Sequence, residues 1–495
     1  VIEREVKLLV DPGVELPPPE ELMHRLGDWT VQDIEQEATY FDTPDLRLTR
    51  SGASLRYRSD DGWTVKLPEG REGATFTRAE HGFPGEPGPP PPAAADLVRV
   101  WVRSGILGEV ARIHTRRRKI RVFDDRGASV GEIDDDEVTA TAPLPVQFHE
   151  VEVEMSDAAD PRLVETLLQR LRDAGAGTGD SATKVARVLG DRATEPPDLA
   201  PPRPLHRDSS LADLVQACVA TSVQRLFVND PVVRIGEDPE GIHQARVATR
   251  RLRSDLRTFR PVLDTRWSEP LRTELKWLGE ELGRVRDADV LLGLLEAKAA
   301  DLPPIDEAPA HVLLDRLRDL RSRDRGALLE GVASARYATL LDQLVDAAAA
   351  PTMRHPDHTT RASRAVGRLA ARPWKQLRKK VRRLGPVPAD AELHEVRKQA
   401  KQARYAVEAI APVAGKRAPA HAQRIAALQD VLGDHHDAVV AAAWLRDAAQ
   451  DIGDPDVAFV AGVMAAAFAA DQRRLRSEWR AVWRRAERRS LSRYS

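Results

Sequence analysis

Two regimes of hydrophobic spacing divide the chain. Through about residue 190, apolar and polar residues alternate in short runs near 2–10, 34–42, 53–59, 63–67, 75–83, 109–123, 128–134 and 147–155. Period-two alternation places successive side chains on opposite faces of an extended chain, so each run predicts a strand. Turn chemistry separates several of them, at Asp11-Pro12-Gly13, Asp61-Gly62 and Asp125-Arg126-Gly127. Helical spacing occurs near 18–27, 96–104 and 161–174, and the Pro/Gly/Ala run 84–95 reads as a flexible insertion. From Ser209 onward apolar residues recur at helical spacing almost without a break. The proline-rich run 192–208 offers little to bury and predicts a semi-stiff linker, with one domain over 1–191 and another over 209–490.

Sorting the strands by parity separates charge from apolar surface. One face collects Glu3, Glu5 and Lys7, Arg56 and Arg58, Lys66, Arg78 and Glu80, Arg117, Lys119 and Arg121, and Glu150, Glu152 and Glu154. The other collects Leu55, Tyr57, Trp63, Val65, Leu67, Ile120, Val122, Val151, Val153 and Met155. A sheet with one wet face gives such parity in a single strand. Over six strands a merely solvated face would scatter Ser, Thr, Asn and Gln among the charges. Here the charges come as like-signed pairs in separate strands. Closing about eight strands into a barrel brings both signs into one lumen wide enough for a small ligand.

In that lumen Arg56, Arg58, Lys66, Arg117 and Lys184 would neutralise phosphate oxygens, a task that suits the guanidinium fork. Mg²⁺ or Mn²⁺ on Glu3, Glu5 and Glu152 would polarise a phosphoryl group. Asp134 is a further candidate ligand, although Asp134-Asp135-Asp136-Glu137 reads equally well as a solvated acidic turn.

The helical half repeats. Ile242-His243-Gln244-Ala245-Arg246 is followed by Arg250, Arg253 and Leu282-Gly283-Arg284-Val285-Arg286-Asp287. Some 150 residues later, Leu393-His394-Glu395-Val396-Arg397 is followed by Lys401, Arg404 and Leu432-Gly433-Asp434-His435-His436-Asp437. Two matched landmarks at one offset predict a duplicated helical bundle. In each copy a basic stripe flanks the apolar face: His243, Arg246, Arg250, Arg253 and Arg257, then His394, Arg397, Lys398, Lys401 and Arg404. A solvated helix flank would mix signs and pair them at i,i+4; neither stripe interleaves acids, which favours a polyanion groove. Arg286-Asp287 reads as a structural ion pair.

Charge and composition sharpen the division. The chain has 495 residues and a net charge of −2, but residues 1–190 carry 24 basic and 35 acidic side chains and the remainder 51 and 42. Such asymmetry predicts different partners for the halves. The single cysteine, Cys218, excludes an intrachain disulfide and a cysteine-rich metal site. No apolar run reaches membrane-spanning length and none resembles a signal peptide, so the expected location is cytoplasmic.

The first half resembles the CYTH family, the triphosphate tunnel metalloenzymes. The resemblance rests on Glu3-x-Glu5-x-Lys7, Tyr40-Phe41-Asp42-Thr43, Leu55-Arg56-Tyr57-Arg58, Arg78-x-Glu80, Glu150-x-Glu152-x-Glu154 and Thr183-Lys184-Val185-Ala186-Arg187, in that order. It implies an antiparallel tunnel barrel that binds triphosphate through Lys7, Arg56, Arg58, Lys66, Arg78, Arg117, Lys119, Lys184 and Arg187. It implies metal on Glu3, Glu5, Glu80, Asp134, Glu150, Glu152 and Glu154, with Glu3, Glu5, Lys7, Lys66 and Lys184 carrying the chemistry. Two departures stand out: no acid where one usually precedes Asp134, and Gly82 where a second acid often follows Glu80.

The second half resembles the CHAD domain through H-x-x-R-x-x-x-[RK]-x-x-R, twice, each copy followed by L-G-x-x-[RH]-D. That implies paired helical bundles whose basic cleft binds inorganic polyphosphate. The fold expected is therefore α+β: an eight-stranded antiparallel tunnel barrel joined to an all-α duplicated bundle. The function expected is metal-dependent hydrolysis of a linear triphosphate, inorganic triphosphate favoured, beside a polyphosphate-binding module. The alternatives are a non-catalytic polyphosphate-binding or granule-targeting protein and a class IV type adenylate cyclase. Neither a membrane nor a nucleic acid is an expected partner, since a duplex is too wide for a cleft between two helices.

Overall fold

The structure is a computed structural model that describes residues 2–488 apart from 12–13, 25, 73–74, 125, 143–144, 157–158, 179–181 and 356–359. The side chains of 2–5, 69–78, 142, 161, 178 and 365 also lie outside the described set. The chain divides into two compact units, Val1–Asp198 and Leu199–Ser495.

The first unit is built on nine strands: β1 (Ile2–Val10), β2 (Asp28–Asp42), β3 (Ser54–Arg58), β4 (Gly62–Glu72), β5 (Thr75–Phe83), β6 (Gly108–Phe123), β7 (Ser129–Ala142), β8 (Val146–Met155) and β9 (Ala176–Thr178). The first eight close into a barrel in the order β5-β4-β3-β2-β6-β7-β8-β1, with β1 returning to β5. The ninth, three residues long, joins the outer end of β1 at Leu8–Val10, beyond the stretch that pairs with β5. Every pairing is antiparallel.

This barrel is apolar outside and charged within. Leu8, Val10, Ile120, Val122, Ile133, Val151 and Val153 point outward and are buried beneath α1 (Pro19–Leu22) and α5 (Pro161–Asp173), through Leu22, Leu167 and Leu171. Leu55, Trp63, Val65 and Leu67 are covered in the same way by α2 (Arg47–Arg50), α3 (Pro92–Leu97) and α4 (Arg99–Val102). The segment 84–95 is not loose: Trp63 Nε1 donates to the Glu86 carbonyl at 3.0 Å, and Ala94 is fully buried. Helices have taken the apolar face, so the opposite face must be the lumen.

The proline-rich run 192–208 is shared between the units rather than suspended between them. Its start forms the end of α7 (Asp191–Thr194), after α6 (Lys184–Leu189), and Ala193 packs on Leu46 and Ala186. Its later residues bond within the second unit, where Gln216 accepts from Arg203 N at 2.9 Å and donates to the Pro201 carbonyl at 3.1 Å.

The second unit carries α8 (Leu211–Ile235), α9 (Pro239–Thr258), α10 (Thr265–Ala299), α11 (Glu307–Ala333), α12 (Ala335–Ala349), α13 (Ala362–Arg382), α14 (Asp390–Ala414), α15 (Arg417–Ile452) and α16 (Pro455–Glu487). Helices α8 to α11 are repeated by α13 to α16, with α12 inserted between the copies. The two copies start against each other: Leu211 N donates to the Thr360 carbonyl at 3.0 Å and Ala362 N to the Ser209 carbonyl at 2.9 Å. At the far end Leu295, Leu313, Leu317, Leu445, Met464 and Phe468 join α10, α11, α15 and α16 in one core.

Between α13, α15 and α16 the core holds a neutral histidine. His421 is 2 % exposed, its ring meets Trp374 edge-on at 4.6 Å, and neither ring nitrogen has a partner. Burial, aided by Arg424, lowers its pKa from 6.5 to about 4. An unfolded chain therefore takes up a proton that the folded one refuses, and stability is lost as pH falls from 6.5 toward 4. His421→Phe should remove this term and retain about 2–3 kcal/mol more of its stability at pH 4, relative to pH 7, than the wild type. Denaturant unfolding followed by circular dichroism at both pH values measures it; equal losses in the two proteins would contradict the assignment.

Candidate functional site

Helix α6 organises the barrel lumen. Thr183 caps it, its hydroxyl accepting from Ala186 N at 3.1 Å. Val185 and Val188 pack against Ala38, Tyr40, Ala111, Ile113, Val138 and Ala140, inward-facing residues of β2, β6 and β7. The helix thus plugs one end of the barrel with apolar side chains, and this packing turns Lys184 and Arg187 toward the acids of β7 and β8.

Cross-strand register then stacks charge on charge. Asp134 lies opposite Glu152, Asp136 opposite Glu150 and Arg117, Lys119 opposite Asp134, and Lys7 opposite Glu152. Lys184 Nζ stands 2.9 Å from Asp136, 2.7 Å from Glu150 and 2.8 Å from Glu152. Arg117 binds Asp136 with both fork nitrogens at 2.8 and 2.7 Å, reaches Glu152 at 3.3 Å and pairs with Asp134. Lys7 pairs with Glu152, Arg187 approaches Glu150 at 3.5 Å, and Lys119 holds Glu132 at 2.7 Å. A second group on β3, β4 and β5 joins Glu80 to Lys66 at 3.1 Å and to Arg56 at 3.7 Å. Arg58 turns to Asp60 and Asp61 at the β3–β4 turn.

Three of these groups, Glu152, Lys184 and Asp134, have their proton affinity shifted by burial and their neighbours. Burial alone would raise the Glu152 pKa, but Lys184, Lys7 and Arg117 hold it well below the ordinary carboxylate range. Burial would equally lower Lys184, yet Glu152, Asp136 and Glu150 keep it well above a free lysine. Asp134 is pushed up to about 6 by burial, against the pull of Arg117 and Lys119 and with help from Asp136 and Glu152.

The site corrects several sequence expectations. Residues 134–137 lie inside β7 rather than in a turn, so Asp134 and Asp136 both face the lumen, 6 % and 0 % exposed. Asp136 was not among the expected ligands, although its parity with Asp134 carried the signal. The acid expected to be missing before Asp134 is present as Glu132, bonded to Lys119. Glu80 groups with Arg56 and Lys66 rather than with the acids of β7 and β8. Glu154 follows Glu152 on the same face of β8 and lies opposite Glu5 and Glu132. Backbone pairing sets Glu3 opposite Arg78; the side chains of Glu3, Glu5 and Arg78 lie outside the described residues.

Asp136, Glu150 and Glu152 bring one oxygen each within 4.8 Å of one another. This all-oxygen donor set suits a hard divalent cation. Both oxygens of the buried Glu150 lack an aligned hydrogen bond, so the lysine ammonium neutralises the cluster without saturating it.

In the second unit the two stripes meet. Burial lowers Lys401 of α14 to about 7, together with Arg397 on its own helix and Arg250 and Arg246 of α9, while Asp437 of α15 opposes the shift. Burial and basic neighbours also lower His243 and His394, and His394 stacks on His436 at 4.1 Å. A cavity of about 610 Å³ runs beside the stripes, bordered by His243, Arg250, Arg251, Arg404, Tyr405 and Glu408. The repeated L-G-x-x-[RH]-D motif acquires a mechanical meaning. Arg246 and Arg397 lie over the bare backbone of Gly283 and Gly433 and pair with Asp287 at 2.9 Å and Asp437 at 3.6 Å. The partner of Asp287 is thus Arg246, not Arg286. The stripes are also less free of acids than the sequence implies: Arg404 pairs with Glu408 at 2.6 Å and Lys398 with Glu395 at 2.8 Å. Arg253 and Arg257 crowd against Arg272 and each has its pKa lowered, first by burial and then by that neighbour.

The comparisons with known proteins match this division. Residues 1–186 match the CYTH domain profile and 217–446 the CHAD domain profile. An uncharacterised protein of Mycobacterium tuberculosis is 32 % identical over 435 residues, covering 82 % of this chain and 80 % of its own length. The chain is a CYTH–CHAD protein. Part of its CYTH domain is also similar to the human thiamine-triphosphatase, 33 % identical over 114 residues, which is 23 % of this chain and 46 % of that enzyme. Among solved structures, PptA from Streptomyces chartreusis shares 26 % identity over 56 % of this chain and all of its own, with a TM-score of 0.48. The CHAD domain of Ricinus communis shares 28 % over 59 % of this chain and 98 % of its own, also at 0.48.

Removing the buried ammonium exposes what the CYTH acids are for. Lys184→Met should leave Asp136, Glu150 and Glu152 short of the one cation they share, with Arg117, Lys7 and Arg187 the remaining partners, and destabilise the domain by about 3–5 kcal/mol in chelator. Mn²⁺ should restore much of that loss and raise the melting temperature of the variant more than that of the wild type. A melting curve indifferent to Mn²⁺ in both proteins would show the cluster to be purely structural.

Proposed function

We propose that the CYTH domain hydrolyses a linear triphosphate, inorganic triphosphate favoured, with Mg²⁺ or Mn²⁺, and that the CHAD domain binds inorganic polyphosphate. The observation that supports the first half is one lumen lined by both signs of charge, a three-carboxylate cluster with basic groups interlocked around it. Arg56 and Lys66 lie on one wall beside Glu80, and the acids of β7 and β8 lie on another with Lys7, Arg117, Lys119, Lys184 and Arg187 among them. A triphosphate chain offers oxygens to the basic groups along its length. A divalent cation held by Asp136, Glu150 and Glu152 would neutralise phosphate oxygens and lower the pKa of a bound water.

The remaining roles belong to the chain itself. Arg56 and Lys66 grip one end of the substrate and Arg117 with Lys119 the other, which positions the chain for in-line displacement. Lys184, fixed by the packing of α6, meets charge developing near the acidic cluster. The apolar plug of Val185 and Val188 excludes water from that end, which strengthens every interaction in the lumen. Partial similarity to thiamine-triphosphatases supports a triphosphate as the substrate class. The neutralisation of the acids by Lys184 keeps a second reading in play, a tunnel that binds triphosphate without turnover.

For the CHAD domain the carrying observation is the convergence of Arg246, Arg250, Arg397 and Lys401, whose mutual repulsion an incoming polyanion would relieve.

Phosphate release by the full chain from inorganic triphosphate, thiamine triphosphate and ATP, with Mg²⁺, with Mn²⁺ and in chelator, tests the catalytic reading. Release should require the cation and fall at least about 100-fold in Glu152→Gln. Equal release in chelator would overturn it, and triphosphate binding without release would establish the second reading.

Polyphosphate affinity should fall about a thousandfold between 50 and 200 mM salt if six or more basic groups make contact. Arg246→Glu with Arg250→Glu should weaken binding about as much as Arg397→Glu with Lys401→Glu. A flat salt response, or unchanged affinity in the combined variant, would contradict a polyanion cleft.

A further inference from the structure

Helix α13 carries a charge pattern that the fold does not require. At about 100° and 1.5 Å per residue, Arg364, Arg368, Arg372, Lys375, Lys379 and Arg382 fall within an arc of about 80° and run for about 27 Å. All six are exposed. The opposite face packs Val366, Ala370, Trp374, Leu377 and Val381 into the bundle. No acidic residue occurs anywhere in Ala362–Arg382. Arg382 has Glu487 at 3.5 Å, and among the described residues no acid pairs with the other five.

The duplication supplies an internal control. In the first copy α8 takes the place of α13, and the two helices start against each other through Ser210 and Arg361. Its exposed positions include Thr221, Gln224, Arg225 and Val228, and its sequence balances Arg225 and Arg234 with Asp213 and Asp230. Since α8 serves the same structural role without the charge, the basic face of α13 is not a requirement of the bundle.

The face also leads to the cleft. The last turn of α13 brings Lys379, Lys380, Arg382 and Arg383 beside the first turns of α14. Lys380 acts on Glu395, which bonds Lys398, and His394 and Lys398 open the second basic stripe. The basic end of α13 and the second stripe therefore approach each other across Glu395, so the outside of α13 extends the basic surface of the cleft.

We propose that the exposed face of α13 is a second polyanion track, which holds the part of a long inorganic polyphosphate chain that extends beyond the cleft between α9 and α14. This rests on the polyphosphate reading of the CHAD domain. The single file of charges fits one linear chain better than the two phosphate rows of a duplex. An anionic membrane is a poorer fit, because an interfacial helix needs exposed apolar residues and those of α13 are buried.

The test uses the full chain carrying Arg368→Glu, Lys375→Glu and Lys379→Glu, titrated with short-chain and long-chain polyphosphate over a range of salt. Long-chain affinity should fall about tenfold or more, and the log–log salt slope should become shallower by about 2–3. Short-chain affinity should stay unchanged, because the cleft residues are intact. The charge-preserving variant Arg364→Lys, Arg368→Lys, Arg372→Lys should bind long chains as the wild type does. Unchanged long-chain affinity and slope in the reversed variant would overturn the track while leaving the cleft reading standing. An equal loss for short chains would also overturn it, as would a loss seen only with duplex DNA or anionic vesicles. Wild-type protein that binds neither chain length would remove the cleft reading and the track together.

Discussion

One ammonium group, Lys184 Nζ, holds the acidic side of the CYTH lumen together. It lies within 2.9 Å of three carboxylates on two strands, and those carboxylates are 0 %, 0 % and 13 % exposed. Without it, β7 and β8 would bring Asp136, Glu150 and Glu152 together in a low-dielectric space, where like charges cost several kcal/mol. The ammonium arrives from α6, which in turn depends on Val185 and Val188 docking inside the barrel. Plug, barrel closure and acidic cluster are therefore one cooperative arrangement. It also explains why the barrel is turned inside out: helices cover the outer wall, and the inner wall can be charged because its charges interlock.

An interlocked lumen is poised for exchange. Each basic group near the acids is matched to a partner that a metal ion or a phosphate oxygen could replace. On the proposed function, a cation entering among Asp136, Glu150 and Glu152 would release Lys184, Lys7 and Arg117 from their present partners, and a triphosphate would give them new ones. A divalent cation would offset part of the charge that a triphosphate brings, so the two together would unbalance the site less than the triphosphate alone. The CHAD cleft is the opposite case. Its basic groups crowd one another, and burial first and then Arg397, Arg250 and Arg246 lower Lys401 to about 7. On the proposed function it would gain from a polyanion alone.

The sequence carried the parity of the strands, the barrel and the duplicated bundle, because period-two and period-3.6 spacing and the 150-residue offset are local or periodic signals. Parity put Lys7, Arg117, Lys119, Glu150 and Glu152 on one face, the family resemblance added Asp134, Lys184 and Arg187, and all of them meet in one network. Asp136 was missed because an acidic run of four reads as a turn unless the strand on either side is known to continue. Parity gives the face of a strand and not its neighbours around the barrel, so it could not show that Glu80 pairs with Arg56 and Lys66. The pairing of Arg246 with Asp287 and of Arg397 with Asp437 was illegible because it joins different helices. The stripe on α13 was readable in principle; it was overlooked because it lies outside the repeated motif.

The central claim is that the CYTH lumen binds a divalent cation and a triphosphate side by side. Diffraction from crystals of the full chain grown with Mn²⁺ and a non-hydrolysable triphosphate, recorded at the manganese edge, addresses it most directly. The account predicts anomalous density between the carboxylates of Asp136, Glu150 and Glu152, Lys184 displaced toward the phosphate chain, and phosphate oxygens bonded to Arg56, Lys66 and Arg117. A lumen without manganese, with Lys184 still seated among the three carboxylates and the triphosphate bound elsewhere, would contradict it.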